Sequence, residues 1–272
     1  MTATTVPAAG HRPGFGRLLV AEWTKIRSVR STVWSLIILV LLNVGFTTLF
    51  MSFTVALWDK TDASDRAQWI ADPTSAILGS GMSLSQLAIS VLGAMVITSE
   101  HSTRMIRASL LAVPRRTPML AAKCVVFALV ALVLGVVVSF VSFFIGSAIL
   151  HAKVAVAIGD PGVARAVTGG GLYLAMLGLF ALAIGAIVRH TVAAITGVIG
   201  FVLVLSPLAQ LLPGSIGDHI HAYLPAEAGW LIAKTHQVKG DLLTPWQGYG
   251  VFAIWTALLL AVALVLLKRR DA

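Results

Sequence analysis

Six runs of apolar residues, each about as long as a helix needs to cross a bilayer, limit this chain more than any other feature. A membrane-spanning helix takes about 20 residues, and the runs cover 33–57, 77–98, 119–150, 172–188, 192–212 and 249–267. With 58% of 272 residues hydrophobic and 11% charged, the apolar surface is too large for a water-soluble fold. The pattern predicts an all-α integral membrane protein with six transmembrane helices, in which residues 17–272 form a single domain behind a disordered cytosolic tail at 1–16. That tail has small polar residues, prolines and glycines, and it lacks the charged start and apolar core of a signal peptide. The third run is longer than one crossing requires, so it is tilted or begins in the cytosol. The fourth is at the short limit.

Charge sets the orientation. An even number of spans puts both termini on one side, together with the loop after span two and the Arg189-His190 turn. That side carries 14 of the 20 Lys and Arg residues, from Arg12 to Arg270, and only Glu22, Glu100 and Asp271 as acids. By the bias of Lys and Arg toward the cytoplasm, both termini are cytoplasmic and the protein is multi-pass in the cell membrane. Orientation accounts for most of the net charge of +9, so no nucleic-acid partner is inferred from it. Cys124 is the single cysteine, which excludes an intrachain disulfide.

Two charged segments flank this apolar plan. In the first, Leu19, Trp23 and Ile26 recur at helical spacing among Arg17, Lys25, Arg27 and Arg30. This predicts an amphipathic helix lying in the membrane interface, with Trp at headgroup level and basic chains reaching the phosphates. The second is Ser99 to Lys123, where Glu100, Arg104 and Arg107 share one side of a short helix and Ile106, Leu110 and Val113 another. Glu100 stands four residues before Arg104, the favourable order for an ion pair. Pro114 stops that helix, and Thr117-Pro118 reads as the start of the next.

The remaining connections are external, apart from the short turn between spans four and five. Residues 151–171 read as a Gly-rich loop, and Arg189-His190-Thr191 makes spans four and five antiparallel neighbours. Pro207 and Pro213-Gly214 are expected to kink and end span five. In the long segment from Pro213 to Gly248, PAEAGWLIAKT predicts a short helix resting at the interface. Asn43 in span one and Ser83 and Gln86 in span two are candidate pathway residues, although small and hydroxylated residues also serve helix packing.

The segment SEHSTRMIRASLLAVPRRTPMLAAK resembles the stretch after the second span in membrane subunits of ABC type 2 exporters, especially their actinobacterial branch. Glu100, His101, Met105, Ile106, Arg107, Leu110, Pro114, Arg115, Arg116, Ala122 and Lys123 match, whereas Arg104 stands where a glycine is common. AEWTKIRSVRSTVWSL, residues 21–36, is similar to that family's elbow helix running into span one. The resemblance implies a permease subunit that moves an amphipathic or lipid-like molecule or drug outward. It also implies a cytosolic ABC ATPase as partner and a second copy or a homologous subunit completing the channel. Glu100, His101, Arg104, Ile106, Arg107, Leu110 and Arg115 would then form the coupling helix that meets the ATPase.

Several chemistries are excluded on the residues themselves. No G-x-x-x-x-G-K-[ST] segment exists to cradle nucleotide phosphates, so ATP and Mg belong to the partner and no cofactor is expected in this chain. His151, His219, His221 and His236 lack the spacing of metal ligands. A membrane protease would need a nucleophile motif with a histidine on a later span, so the chain is not expected to be an enzyme. The alternative to a permease is a scaffold or sensor subunit that associates with an ATPase and moves no substrate.

Overall fold

A computed structural model describes residues 14–102, 116–211, 214–237 and 241–270. Its α-helices are α1 (Phe15–Ser28), α2 (Arg30–Ala56), α3 (Ala63–Ala71), α4 (Pro73–Ser102), α5 (Arg116–Leu150), α6 (Val163–Val188), α7 (Thr191–Ile199), α8 (Leu205–Gln210), α9 (Gly214–Tyr223), α10 (Pro225–Trp230) and α11 (Pro245–Arg270). Among the described residues every regular element is helical. Six helices are long and apolar enough to span a membrane: α2, α4, α5, α6, the α7–α8 pair and α11. The six-span plan expected from hydropathy is therefore present.

The centre of the bundle is α6. In its most apolar stretch 67% of the residues are buried, against 22% in α2 and in α11, so those two helices face outward and α6 does not. The sequence explains this placement through side-chain size. Without a hydrophobic drive between helices in lipid, close packing holds them together, and small residues allow the closest approach. A Cβ at Gly171 would fall 2.5 Å from the backbone nitrogen of Val136 on α5. One at Gly93 on α4 would fall 2.3 Å from the carbonyl of Gly178 on α6.

This packing also corrects one sequence expectation. The glycines at 169–171 had suggested an external loop, but α6 starts at Val163 and includes them. They are contact points of a helix rather than turn residues, and the fourth span has 26 residues instead of the minimum. Gly162, at φ +83°, makes the turn that begins it.

Between α7 and α8 lies a π-helical turn, Gly200–Val204, closed by a bond from the Leu205 N–H to the Gly200 carbonyl. Pro207 donates no N–H and crowds the carbonyl four residues before it, so the helix widens ahead of the proline. At the other end of this span Arg189 takes a left-handed conformation, φ 60°, and His190 accepts from the Ala193 N–H to start α7.

The segment after span five contains the expected short helix, α10, which packs into the bundle: Ala228, and Ile232 and Ala233 of the turn Leu231–Ala233, are fully covered. Small residues again allow it: Gly229 packs on the ring of Phe252 and Gly248 on the carbonyl of Ala228, both on or against α11. Arg165 on α6 then holds the turn by donating to the carbonyls of Ile232 at 3.2 Å, Lys234 at 2.7 Å and Thr235 at 2.8 Å. Asp72, just before α4, accepts from the Thr235 N–H at 3.1 Å. A guanidinium and a carboxylate thus satisfy backbone groups that an inserted segment would otherwise bury unpaired.

Gly171→Leu is expected to force α5 and α6 apart, at a cost of about 1–3 kcal/mol. Thermal unfolding in detergent should show a lowered midpoint, whereas Gly250→Ala, which meets nothing within 4 Å, should leave it unchanged.

Candidate functional site

Four charged side chains meet where α1, α4 and α5 converge. Lys123 donates to Glu22 Oε2 at 2.6 Å and to Glu100 Oε1 at 2.8 Å. Lys25 donates to Glu22 Oε1 at 2.7 Å and to Glu100 Oε1 at 2.9 Å. Each acid touches both bases and each base both acids, which closes a ring with no net formal charge. Glu22, Glu100 and Lys123 are 6%, 6% and 3% exposed, so the ring is part of the interior.

Local sequence accounts for the geometry. On α1, Glu22 and Lys25 are three residues apart, on the same side as the half-buried Leu19 and Ile26. Arg17, Arg27 and Arg30 are exposed, as is half of Trp23. Val29 breaks the helix from α2 with an extended backbone, ψ 108°, which lets α1 fold back against α5. Glu100 arrives on the last turn of α4, and Lys123 stands in the second turn of α5, inside the third apolar run.

The electrostatics favour a network that is fully charged and fixed. An isolated buried charge costs several kcal/mol, and only well-placed partners offset it. Burial works against the charge on Lys25, but hydrogen bonds and the negative charges of Glu22 and Glu100 outweigh it, so its pKa is raised. Its contribution is complete below the ordinary lysine range and is lost only as pH rises through that higher value, so the ring stays intact at neutral pH.

The structure places Glu100 in the interior rather than on an exposed face. Helix α4 runs through Ser102, and the Glu100 carboxylate meets Lys25 and Lys123, while the expected pairing with Arg104 falls on a residue outside the described ones. His101 lies on the same turn, its Nδ1 at 3.0 Å from the Ile97 carbonyl. Glu100 Oε2 and His101 Nε2 are buried without a hydrogen-bond partner among the described residues. Arg104, Ile106, Arg107, Leu110 and Arg115 lie outside the described residues.

Residues 18–207 match the model of the ABC-2 family transporter proteins. The chain belongs to that family. The match begins in α1 and runs to α8, so it includes all four members of the ring. No curated protein matches the chain. As an ABC-2 family member it is a membrane transport subunit, and the family generally works with a cytosolic ATPase.

The three candidate pathway residues separate in this ABC-2 protein. Asn43 is 2% exposed and joins three helices, donating to Ser85 Oγ on α4 at 2.7 Å and accepting from Ser142 Oγ on α5 at 2.5 Å. Its amide is engaged on both sides by neighbouring helices. Ser83 and Gln86 instead line a cavity of about 410 Å³ between α4, α6, α8 and α10. Tyr173 donates to Gln86 Oε1 across it at 3.1 Å, and Ser206 and Glu227 hydrogen-bond on its far wall.

Sequence reasoning missed Glu22 and Lys123 as site residues, and Arg165 and Glu227 with them. A signal for Lys123 existed: a lysine inside an apolar run requires an acidic partner. Lys123→Met strands two carboxylates on Lys25 and is expected to cost about 3–5 kcal/mol. Adding Glu22→Gln, which removes one stranded charge, should recover part of that loss. The thermal midpoints of the single and double variants check this, and an unchanged midpoint for Lys123→Met would contradict it.

Proposed function

We propose that this chain is the permease subunit of an ATP-driven exporter, moving an amphipathic or lipid-like molecule outward. The observation that carries the proposal is the ring, which fastens α1 to both helices flanking residues 103–115. In this reading α1 is the elbow helix in the cytoplasmic interface, and the loop at 103–115 seats on a separate ATPase. A push on either is passed through Glu22, Lys25, Glu100 and Lys123 to α4 and α5 together. Helix α4 then carries the displacement to α6 along the contact of Gly93 with Gly178.

The reading extends to assembly. Six spans form half of a channel, so a second copy or a homologous permease completes it in the cell membrane, with both termini cytoplasmic. ATP and Mg are held by the ATPase, since this chain has no phosphate loop. The chain's own part is mechanical, and it needs two arrangements of the bundle for ATP binding to select between.

Two measurements test the assignment. Purification of the tagged protein from native membranes in mild detergent should bring a stoichiometric soluble ATPase with it. Arg107→Glu should leave the chain inserted while reducing the recovered ATPase at least several-fold and abolishing transport. Recovery of no ATPase, or full export by the variant, would contradict the proposal.

A further inference from the structure

The outer cavity has an asymmetry of charge that the ring does not share. Its walls combine apolar side chains such as Met82, Leu203 and Trp230 with the neutral polar groups of Gln86, Ser206 and Gln210. Among its lining residues Glu227 alone carries a formal charge. A carboxylate in a part-apolar recess is costly without a counter-ion, and two described cations of this region, Arg165 and Lys234, are engaged elsewhere. Arg165 is spent on three backbone carbonyls. Lys234, which faces a neighbouring cavity of about 480 Å³ that Glu227 also borders, is paired with Asp241 at 3.1 Å.

His221 is the remaining candidate partner, with Nε2 at 3.7 Å from Glu227 Oε2. That same nitrogen lies 2.8 Å from Gln210 Nε2. At 3.7 Å the imidazole is beyond hydrogen-bond distance of Glu227, and it is shared with Gln210. Ser206 Oγ donates to Glu227 Oε1. Oε2 is left without a donor at hydrogen-bond distance, on a side chain that is 36% exposed.

Aromatic rings complete the environment. Trp230 and Tyr173 meet edge to face, with centroids 5.6 Å apart and planes at 80°. Aromatic faces attract cations, Trp most strongly. The cavity volume falls in the range of about 300–1,000 Å³ typical of small-molecule sites.

We infer that this cavity binds an amphipathic organic cation, with Glu227 as its counter-ion and Trp230 against its apolar body. The inference rests on the permease reading and narrows the substrate class to cations. Glu227 also stands in the first turn of α10, where an acid favours the helix dipole. The test therefore has to separate a ligand role from a structural one.

Tetraphenylphosphonium and tetraphenylborate have the same shape and opposite charge. Binding of labelled tetraphenylphosphonium to the purified full-length chain in nanodiscs, corrected for empty nanodiscs, should saturate, whereas labelled tetraphenylborate, measured in separate samples, should not. Glu227→Gln should weaken binding about tenfold or more, whereas Glu227→Asp, which keeps the charge, should retain most of it. Equal binding by Glu227→Gln, equally saturable binding of tetraphenylborate, or no saturable binding of tetraphenylphosphonium by the unaltered chain would overturn the site. If Glu227→Gln fails to fold, the discrimination between the two ions by the unaltered chain still decides. The ATPase is absent from this assay, so a failure here leaves the permease reading to its own co-purification test.

Discussion

Burying Glu22, Glu100 and Lys123 beside the half-buried Lys25 is the condition on which the packing of α1 against α4 and α5 depends. Glu22, Lys25, Glu100 and Lys123 come from three helices, and each is tolerable in the interior only while the others are in place. A buried pair of this kind is weak evidence for stability, because an apolar replacement of equal volume is often as good. Its use is positional. A helix sliding by one residue would take an acid away from its bases, so the ring fixes the register of α1 against α4 and α5 in a way that interchangeable Leu and Val contacts do not. A cleft of about 290 Å³ beside the ring, between α1, the start of α2 and α4, leaves room on one side for that unit to shift.

Above the ring the organising principle changes from charge to size. Helix α6 is the hub because its glycines and alanines admit α4 and α5 to backbone contact, and the same device lets α10 insert against α11. Arg165 and Asp72 make that insertion tolerable by satisfying the backbone of residues 232–235. The inserted turn in turn brings Glu227 and Trp230 to the cavity wall that α4 and α6 had supplied with Gln86 and Tyr173. The protein therefore has a rigid charged clasp at one end and a polar recess at the other, joined by the tightly packed α4–α6 pair.

Hydropathy made the six spans legible, because length and apolar composition are local properties of a run. The loop motif and the elbow pattern made the family legible in the same way, since each is a contiguous string. What stayed hidden depended on contacts distant in sequence. Gly169, Gly170 and Gly171 read as loop because glycine favours turns in isolation, and only Val136 and Ile232 across the interface show that they are packing surfaces. The contact of Glu100 with Lys25 stayed hidden because four-residue spacing is visible in a string, whereas a lysine 75 residues away is not. Glu227 was passed over as one acid among several in an external segment, since nothing near it in sequence indicates that the segment folds inward.

The claim that the ring holds α1, α4 and α5 as one body is tested most directly by amide hydrogen exchange on the intact protein in nanodiscs. Native-state exchange reports the opening of individual segments, so it distinguishes loosening of one helix from general destabilisation. In Lys123→Met, the amides of α1 and of the last turn of α4 should exchange faster by at least an order of magnitude, while the centre of α6 keeps its protection. Unchanged protection in α1 would show that the ring does not hold this helix, and the mechanical account built on it would fall.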